Sequence, residues 1–257
     1  MENEAMKELE TPVRLGVLVP SVNTIVEPDM YRLAPPGFSV HFSRLPVPSD
    51  QTTVENLLHL EDHLEESLQS LSHAKIKAVA FACTSGSFIK GPQWDRRLIE
   101  RMEQIVSPAT TTSDSVVSAL EHLEITNFSL VTPYPDPINE LMTSYFHAQG
   151  FHIVNLKSLG LPGSEELRSV PPDAIFDLAK SADTNVSEAI LISCTDFRAL
   201  AIVNALEESI HKPVITANQA TFWKLMELSG KSIPVKGYGY LLSEQGMNRL
   251  RRKQGSK

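Results

Sequence analysis

Two cysteines occur in the 257 residues, and each stands where an apolar run gives way to small hydroxyl-bearing residues. The first ends the run Ile76-Lys77-Ala78-Val79-Ala80-Phe81-Ala82-Cys83 and is followed by Thr84-Ser85-Gly86-Ser87. The second ends Ala189-Ile190-Leu191-Ile192-Ser193-Cys194 and is followed by Thr195. Both runs read as buried strands, so both thiols fall where a strand stops and a turn begins. Such turns present free backbone N–H groups, and a following helix adds its positive end. A thiol in that setting is expected to have a lowered pKa and to be a nucleophile at neutral pH. A thiolate and a thiol on opposite sides of a small substrate can do three related things. They can exchange a proton across a carbon and racemise it. One can add to an activated double bond while the other manages the proton, which isomerises it. One can protonate the carbanion left by a decarboxylation. All three routes pass through an electron-rich carboxylate resembling an enediolate, which needs N–H and O–H donors aimed at it. Thr84, Ser85 and Ser87 beside one cysteine, and Thr195 beside the other, supply them.

The elements that must hold these residues repeat. Arg14 to Val19 reads as a buried strand ended by Pro20, with the turn Ser21-Val22-Asn23-Thr24 and a short helix from Glu27 to Leu33. Phe38 to Leu45 alternates as a strand does, and Thr53 to Ser72 reads as one long amphipathic helix. After the Cys83 strand come a helix from Trp94 to Ile105, a strand at Pro108 to Thr111, and a helix to Leu123 with Ser113 as its N-cap. The pattern then restarts with a strand from Phe128 to Thr132, ended by Pro133 and the turn Tyr134-Pro135-Asp136. A helix from Pro137 to Ala148, a strand from Phe151 to Leu156 and a helix from Pro171 to Ser181 lead to the Cys194 strand. A helix from Phe197 to Ser209, a strand from Pro213 to Thr216, a helix to Leu228 and a last helix from Leu242 to Arg252 complete the chain. Pro20 and Cys83 are 63 positions apart, and Pro133 and Cys194 are 61 apart. This is an internal duplication with about four βα steps per half. Strands alternating with helices imply an α/β fold with parallel sheets covered on both faces and ligands at the carboxyl ends of the strands. Two such halves facing each other would bring both cysteines to one cleft, within reach of Asn23 and Tyr134. The alternative for those two residues is turn-capping and packing.

Composition narrows the classes. The net charge is −8, which favours neither nucleic acid nor an anionic membrane as partner. No apolar run approaches the ~18 residues of a membrane span. Met1-Glu2-Asn3-Glu4 lacks the pattern of a signal peptide, so a cytoplasmic protein with reduced cysteines is expected; a Cys83–Cys194 disulfide is the alternative. The basic tail from Arg249 to Lys257 reads as a frayed terminus. Gly86 to Gly91 has the spacing of a phosphate loop, but Pro92-Gln93 stands where Lys-Ser/Thr is required. There is no GxGxxG and no GxSxG. His59 and His63 lie four apart among Glu61, Asp62, Glu65 and Glu66 and read as a solvated face rather than a metal site. No metal and no cofactor are expected. Arg198 reads as a carboxylate binder at a helix start or as a surface ion pair.

At these residues the chain resembles the maleate cis-trans isomerase family of the aspartate/glutamate racemase superfamily, to which arylmalonate decarboxylase is related. The resemblance rests on Gly16 to Thr24, Ala82-Cys83-Thr84-Ser85-Gly86-Ser87, Thr132 to Asp136, Ser193-Cys194-Thr195 and Thr216-Ala217-Asn218-Gln219-Ala220, in order over nearly the whole chain. It implies two similar Rossmann-like α/β/α domains with parallel four-stranded sheets, related by a pseudo-two-fold axis, with the active site between them. It implies a crossing of the chain near residue 110 and a return near 215, so that one domain is 1–110 plus 217–257 and the other 111–216. It implies that the Cys83 thiolate attacks an alkene carbon of maleate, that the adduct rotates, and that expulsion of Cys83 releases fumarate. Cys194 would be the acid/base or stabilise the adduct. Asn23 and Tyr134 would hold the carboxylates, and Thr84, Ser85 and Thr195 would add hydrogen bonds. Where the isomerases place a substrate-contacting asparagine, this chain aligns Ser164, a stretch closer to the decarboxylase. A racemase or decarboxylase using the same cysteines, and a non-catalytic small-acid binding module, remain as alternatives. The partner is a small carboxylate, and the family habit is a homo-oligomer, dimer or tetramer.

Overall fold

The computed structural model describes residues 11–249. Two four-stranded, wholly parallel sheets make its frame, and they have the same strand order. The first runs β2-β1-β3-β4, from Val13–Pro20 (β1), Phe38–Leu45 (β2), Ala78–Phe81 (β3) and Ala109–Thr111 (β4). The second runs β6-β5-β7-β8, from Asn127–Thr132 (β5), His152–Ser158 (β6), Ala189–Ile192 (β7) and Val214–Thr216 (β8). The duplication read in the sequence is thus a duplication of topology. The inner strands are short continuous apolar runs, as strands covered on both faces must be; Ala78–Phe81 and Ala189–Ile192 are buried at every residue.

Matched registers set up the site. Leu18 pairs with Phe81 in the first sheet, and Val131 with Ile192 in the second. One further ladder bond follows each inner strand: Ala82 N–H donates to Leu18 O at 2.8 Å, and Ser193 N–H donates to Val131 O at 2.8 Å. Each bond fixes the backbone one residue before a cysteine. The helix Ala217–Leu228, which follows β8 of the second sheet, packs against β3 and β4 of the first. The apolar core runs through both halves without a break, from Leu15 and Val17 to Leu191 and Ile215.

Several local expectations are corrected. The stretch 53–72 is not one helix. It divides into Val54–Leu58, a tight turn at His59–Glu61, and Leu64–Ser72. The tighter turn buries Leu60, which packs close over Gly86. Thr111, not Ser113, caps the helix Thr112–His122, accepting from Asp114 N–H at 3.1 Å. The helix expected from Phe197 starts only at Val203, after bends and a short turn at Leu200–Ile202. The expected last helix is two short turns, Gly239–Leu242 and Glu244–Met247, separated by Ser243, whose hydroxyl accepts from Gly246 N–H at 3.0 Å. Residues 250–252 of that expectation lie outside the described residues, as do the N-terminal tetrapeptide and all but the first residue of the basic tail. Among the described residues, no helix is long and apolar enough to cross a membrane.

Candidate active site

Both cysteines lie two residues beyond the carboxyl ends of the matched inner strands β3 and β7, and both line one cavity. Each is a free thiol, only 6% exposed. The cavity measures about 50 Å³. That is room for on the order of four waters.

The two thiols are held differently. Cys83 is the N-cap of the helix Thr84–Phe88, which starts at once after the strand. Its Sγ accepts from Gly86 N–H at 3.4 Å and lies 3.9 Å from the Ser85 hydroxyl. Cys194 has no helix directly after it. Its Sγ accepts from Asp196 N–H at 3.4 Å and from the Tyr134 hydroxyl, which also reaches Ser85. The sequence pointed to lowered thiol pKa values, and the structure reverses that. Burial pushes Cys83 up to about 11, against the lowering effect of Gly86 N–H and Ser85, with the charge of Asp196 adding to the rise. Burial, then the Asp196 charge, pushes Cys194 higher still. Burial and the neighbouring thiols also raise Tyr134 well above the ordinary phenol range, so it is a proton donor here.

Asn23, Ser85, Tyr134, Ser164 and Thr195 line the same cavity as the cysteines. Asn23 does two tasks. Its Oδ1 caps Ile25 and Val26 N–H at 2.9 and 3.0 Å, while its Nδ2 donates to Thr195 Oγ1 at 3.2 Å across the halves. Thr84 is different: its hydroxyl is buried without a hydrogen-bond partner, and it is not among the side chains lining the cavity. Arg198 is exposed and lies in a separate groove with Arg32 and Tyr238. His59 pairs with Asp62 at 2.8 Å, and His63 lies 3.7 Å from Glu66, on the surface. Among the described residues, no group of three or more His, Cys, Asp or Glu side chains is arranged to hold a metal.

Other residues support the site without having been given a role in it from the sequence. Ser113 Oγ donates to Thr84 O at 3.3 Å, and Asn218 Nδ2 donates to Thr195 O at 3.1 Å. Thr84 and Thr195 each follow a cysteine, and Ser113 and Asn218 each stand two residues after the threonine that ends β4 or β8. Equivalent side chains therefore clamp equivalent carbonyls. The repeat Pro108 to Thr111 against Pro213 to Thr216 was the signal that could have found them. Asp196 is buried in the cavity wall and accepts from Thr24 N–H at 3.2 Å. Arg168 stands 3.5 Å from its other oxygen and donates to Val22 O at 2.8 Å. Burial raises Asp196 to about 6, against the lowering contacts with Thr24, Arg168 and Ser164.

Backbone bonds tie together two segments at the cavity wall. Thr52 N–H donates to Pro162 O at 2.7 Å, Ser164 N–H donates to Asp50 O at 2.9 Å, and Gln51 bridges to Gly163. These bonds join the segment after β2 to the segment after β6.

Known proteins share this fold. Residues 15–242 match the family model described as arylmalonate decarboxylase. A maleate isomerase from Pseudomonas putida is 26% identical over 244 residues, which cover 90% of this chain and 97% of that one. An arylmalonate decarboxylase from Bordetella bronchiseptica is also 26% identical, over 93% of this chain and 100% of that one. A solved structure of a maleate cis-trans isomerase from Nocardia farcinica, a cysteine mutant with a covalently bound succinylcysteine intermediate, superposes with a TM-score of 0.84 at 24% identity, covering 90% of this chain and 98% of that one.

Proposed function

The chain belongs to the arylmalonate decarboxylase family, and from that premise we propose that it is a cofactor-independent cis-trans isomerase of a small unsaturated carboxylic acid, with maleate to fumarate as the reference reaction. The observation that carries the reading is the pair of buried thiols on one small cavity, each with its own donors. Cys83 attacks from its minor thiolate form, its proton lost to solvent and its sulfur held by Gly86 N–H and the Ser85 hydroxyl. It attacks one alkene carbon; the S–C bond forms, and the π pair moves onto the neighbouring carbon and its carboxylate. Tyr134, Asn23 and Thr195 offer O–H and N–H donors to that charge. Cys194 gives its proton to the neighbouring carbon and takes it back. The C–C bond, now single, rotates between those steps. Expulsion of the Cys83 thiolate re-forms the double bond in the trans geometry. The succinylcysteine of the Nocardia relative is the adduct expected of such a route in that protein.

The equal identity to a decarboxylase keeps a second reading, in which one cysteine protonates the carbanion left by a substituted malonate. Proton NMR of the protein with maleate in heavy water tests the proposal. Fumarate should appear, and the Cys83→Ala variant should form none. Maleate unchanged by protein whose thiols still alkylate, with carbon dioxide released from a malonate, would replace the first reading with the second.

A further inference from the structure

The cavity wall has an unusual charge for a site that would hold a dianion. Asp50 and Asp196 line it, and among the described residues no lysine, arginine or histidine does. Asp196 is 5% exposed, so its charge is poorly screened. One of its oxygens accepts from Thr24 N–H, and the other faces Arg168 at 3.5 Å. The Ser164 hydroxyl also reaches it. A carboxylate offers about four acceptor positions, so these three contacts leave one. Arg168 does not line the cavity, and its shorter bond goes to Val22 O. The cation is therefore behind the wall and the anion is on it. A second substrate carboxylate brought against Asp196 would meet like charge at low dielectric; an N–H donor there would complete its acceptor set.

Resting on the reading of this cavity as the substrate site, we propose that Asp196 determines specificity: the ligand carries a single carboxylate, and its other end presents an N–H donor, an amide or an ammonium, to Asp196. The one carboxylate would take the second N–H of Asn23, the Ser85 hydroxyl and the Tyr134 hydroxyl, which turns to it from Cys194.

Binding of two saturated acids tests this without any turnover. Succinate ends in a second carboxylate and succinamate in an amide, and the two are otherwise matched in size. Calorimetric titration at pH 8, where Asp196 is ionised, should show wild-type protein binding succinamate about ten-fold more tightly than succinate, the value of one hydrogen bond to a charged group. The Asp196→Asn variant should reverse the order, because Arg168 then stands uncompensated behind a neutral wall. Equal or tighter binding of succinate by wild-type protein overturns the proposal, as does binding of neither acid. An Asp196→Asn variant that melts like the wild type and keeps its preference also overturns it. Should that variant fail to fold, the wild-type ratio decides alone. Neither acid has a double bond, so protein inert to maleate that still prefers succinamate sinks maleate as the substrate and keeps this proposal.

Discussion

A thiol buried beside a carboxylate is a weak acid, and that sets how Cys83 should respond to pH. With its pKa pushed up to about 11 by burial and helped in that direction by Asp196, the thiolate fraction grows about ten-fold per pH unit up to that value. Alkylation of Cys83 by iodoacetamide should therefore climb from pH 7 to 10 without a plateau, followed by mass spectrometry of the labelled peptide. A plateau by pH 7 would mean that the Gly86 and Ser85 donors outweigh burial. Asp196→Asn removes a like charge from both cysteines, so labelling of each at pH 8 should accelerate several-fold. The sequence made Cys83 and Cys194 legible as a pair because each ends an apolar run. It did not reveal their acidity, because pKa depends on how completely the cavity excludes water. Asp196 and Arg168 were missed for a related reason: they lie 28 positions apart, and nothing in either local pattern announces the other.

At the scale of elements, two contacts between the halves make separate predictions. The backbone bonds around Gly163 join two segments of the cavity wall, and a Cβ there would stand 3.4 Å from Asp50 O, so that a larger side chain would press on that segment. Gly163→Val should push segment 49–52 outward, raise the KM for any substrate and speed Cys83 labelling several-fold at fixed pH. Unchanged labelling would show that ligands enter elsewhere. The second contact joins the helix Pro92–Glu103 to the helix Asp136–Ala148. Asp95 is buried and accepts from Tyr145 Oη and Thr111 Oγ1, each at 2.6 Å. Burial raises its pKa to about 7, against those two lowering bonds and with Asp114 adding to the rise. The folded state thus holds this proton more tightly than the unfolded chain. The resulting stabilisation is complete below about pH 4 and is lost as pH rises through about 7. Its size is on the order of a few kcal/mol. Asp29 and Asp196 are shifted in the same direction by burial, so the test is a difference: the melting temperature of wild type minus that of Asp95→Asn should fall from pH 5 to pH 8. A flat difference would mean that Asp95 is already ionised when folded. Tyr145→Phe, which leaves one Asp95 oxygen without its donor, should cost about 1–3 kcal/mol at pH 8 in denaturant unfolding.

At the scale of the whole molecule, the repeated strand–proline and strand–cysteine pattern was sufficient to anticipate two like parallel sheets with the cysteines between them. The breaks at His59–Glu61 and Phe197–Ile202 were hidden because helical periodicity continues through both; tertiary packing of Leu60 and the bends around Asp196 override it. The helix Ala217–Leu228 crosses from the second sheet to β3 and β4 of the first, where Thr221 Oγ1 meets Thr112 Oγ1 at 3.1 Å. We propose 1–110 with 217–257 as one unit and 111–216 as the other. Because one core runs through both, denaturant unfolding should be a single transition by fluorescence and circular dichroism alike. Two transitions would mean that the halves stand independently. The paired clamps, Ser113 on the Thr84 carbonyl and Asn218 on the Thr195 carbonyl, have an ancestral meaning. A half that needs its neighbour's helix is shaped like one subunit of a twinned assembly, and a tandem fusion of two such genes would yield this chain. While the subunits were identical, neither thiol could specialise without the other. Joined in one polypeptide they are free to differ, and they do: a helix begins over the Cys83 sulfur, whereas Asp196 stands beside the Cys194 sulfur with no helix directly after it. On the reading proposed above, nucleophile and proton donor would be the division of labour that such a broken symmetry allows.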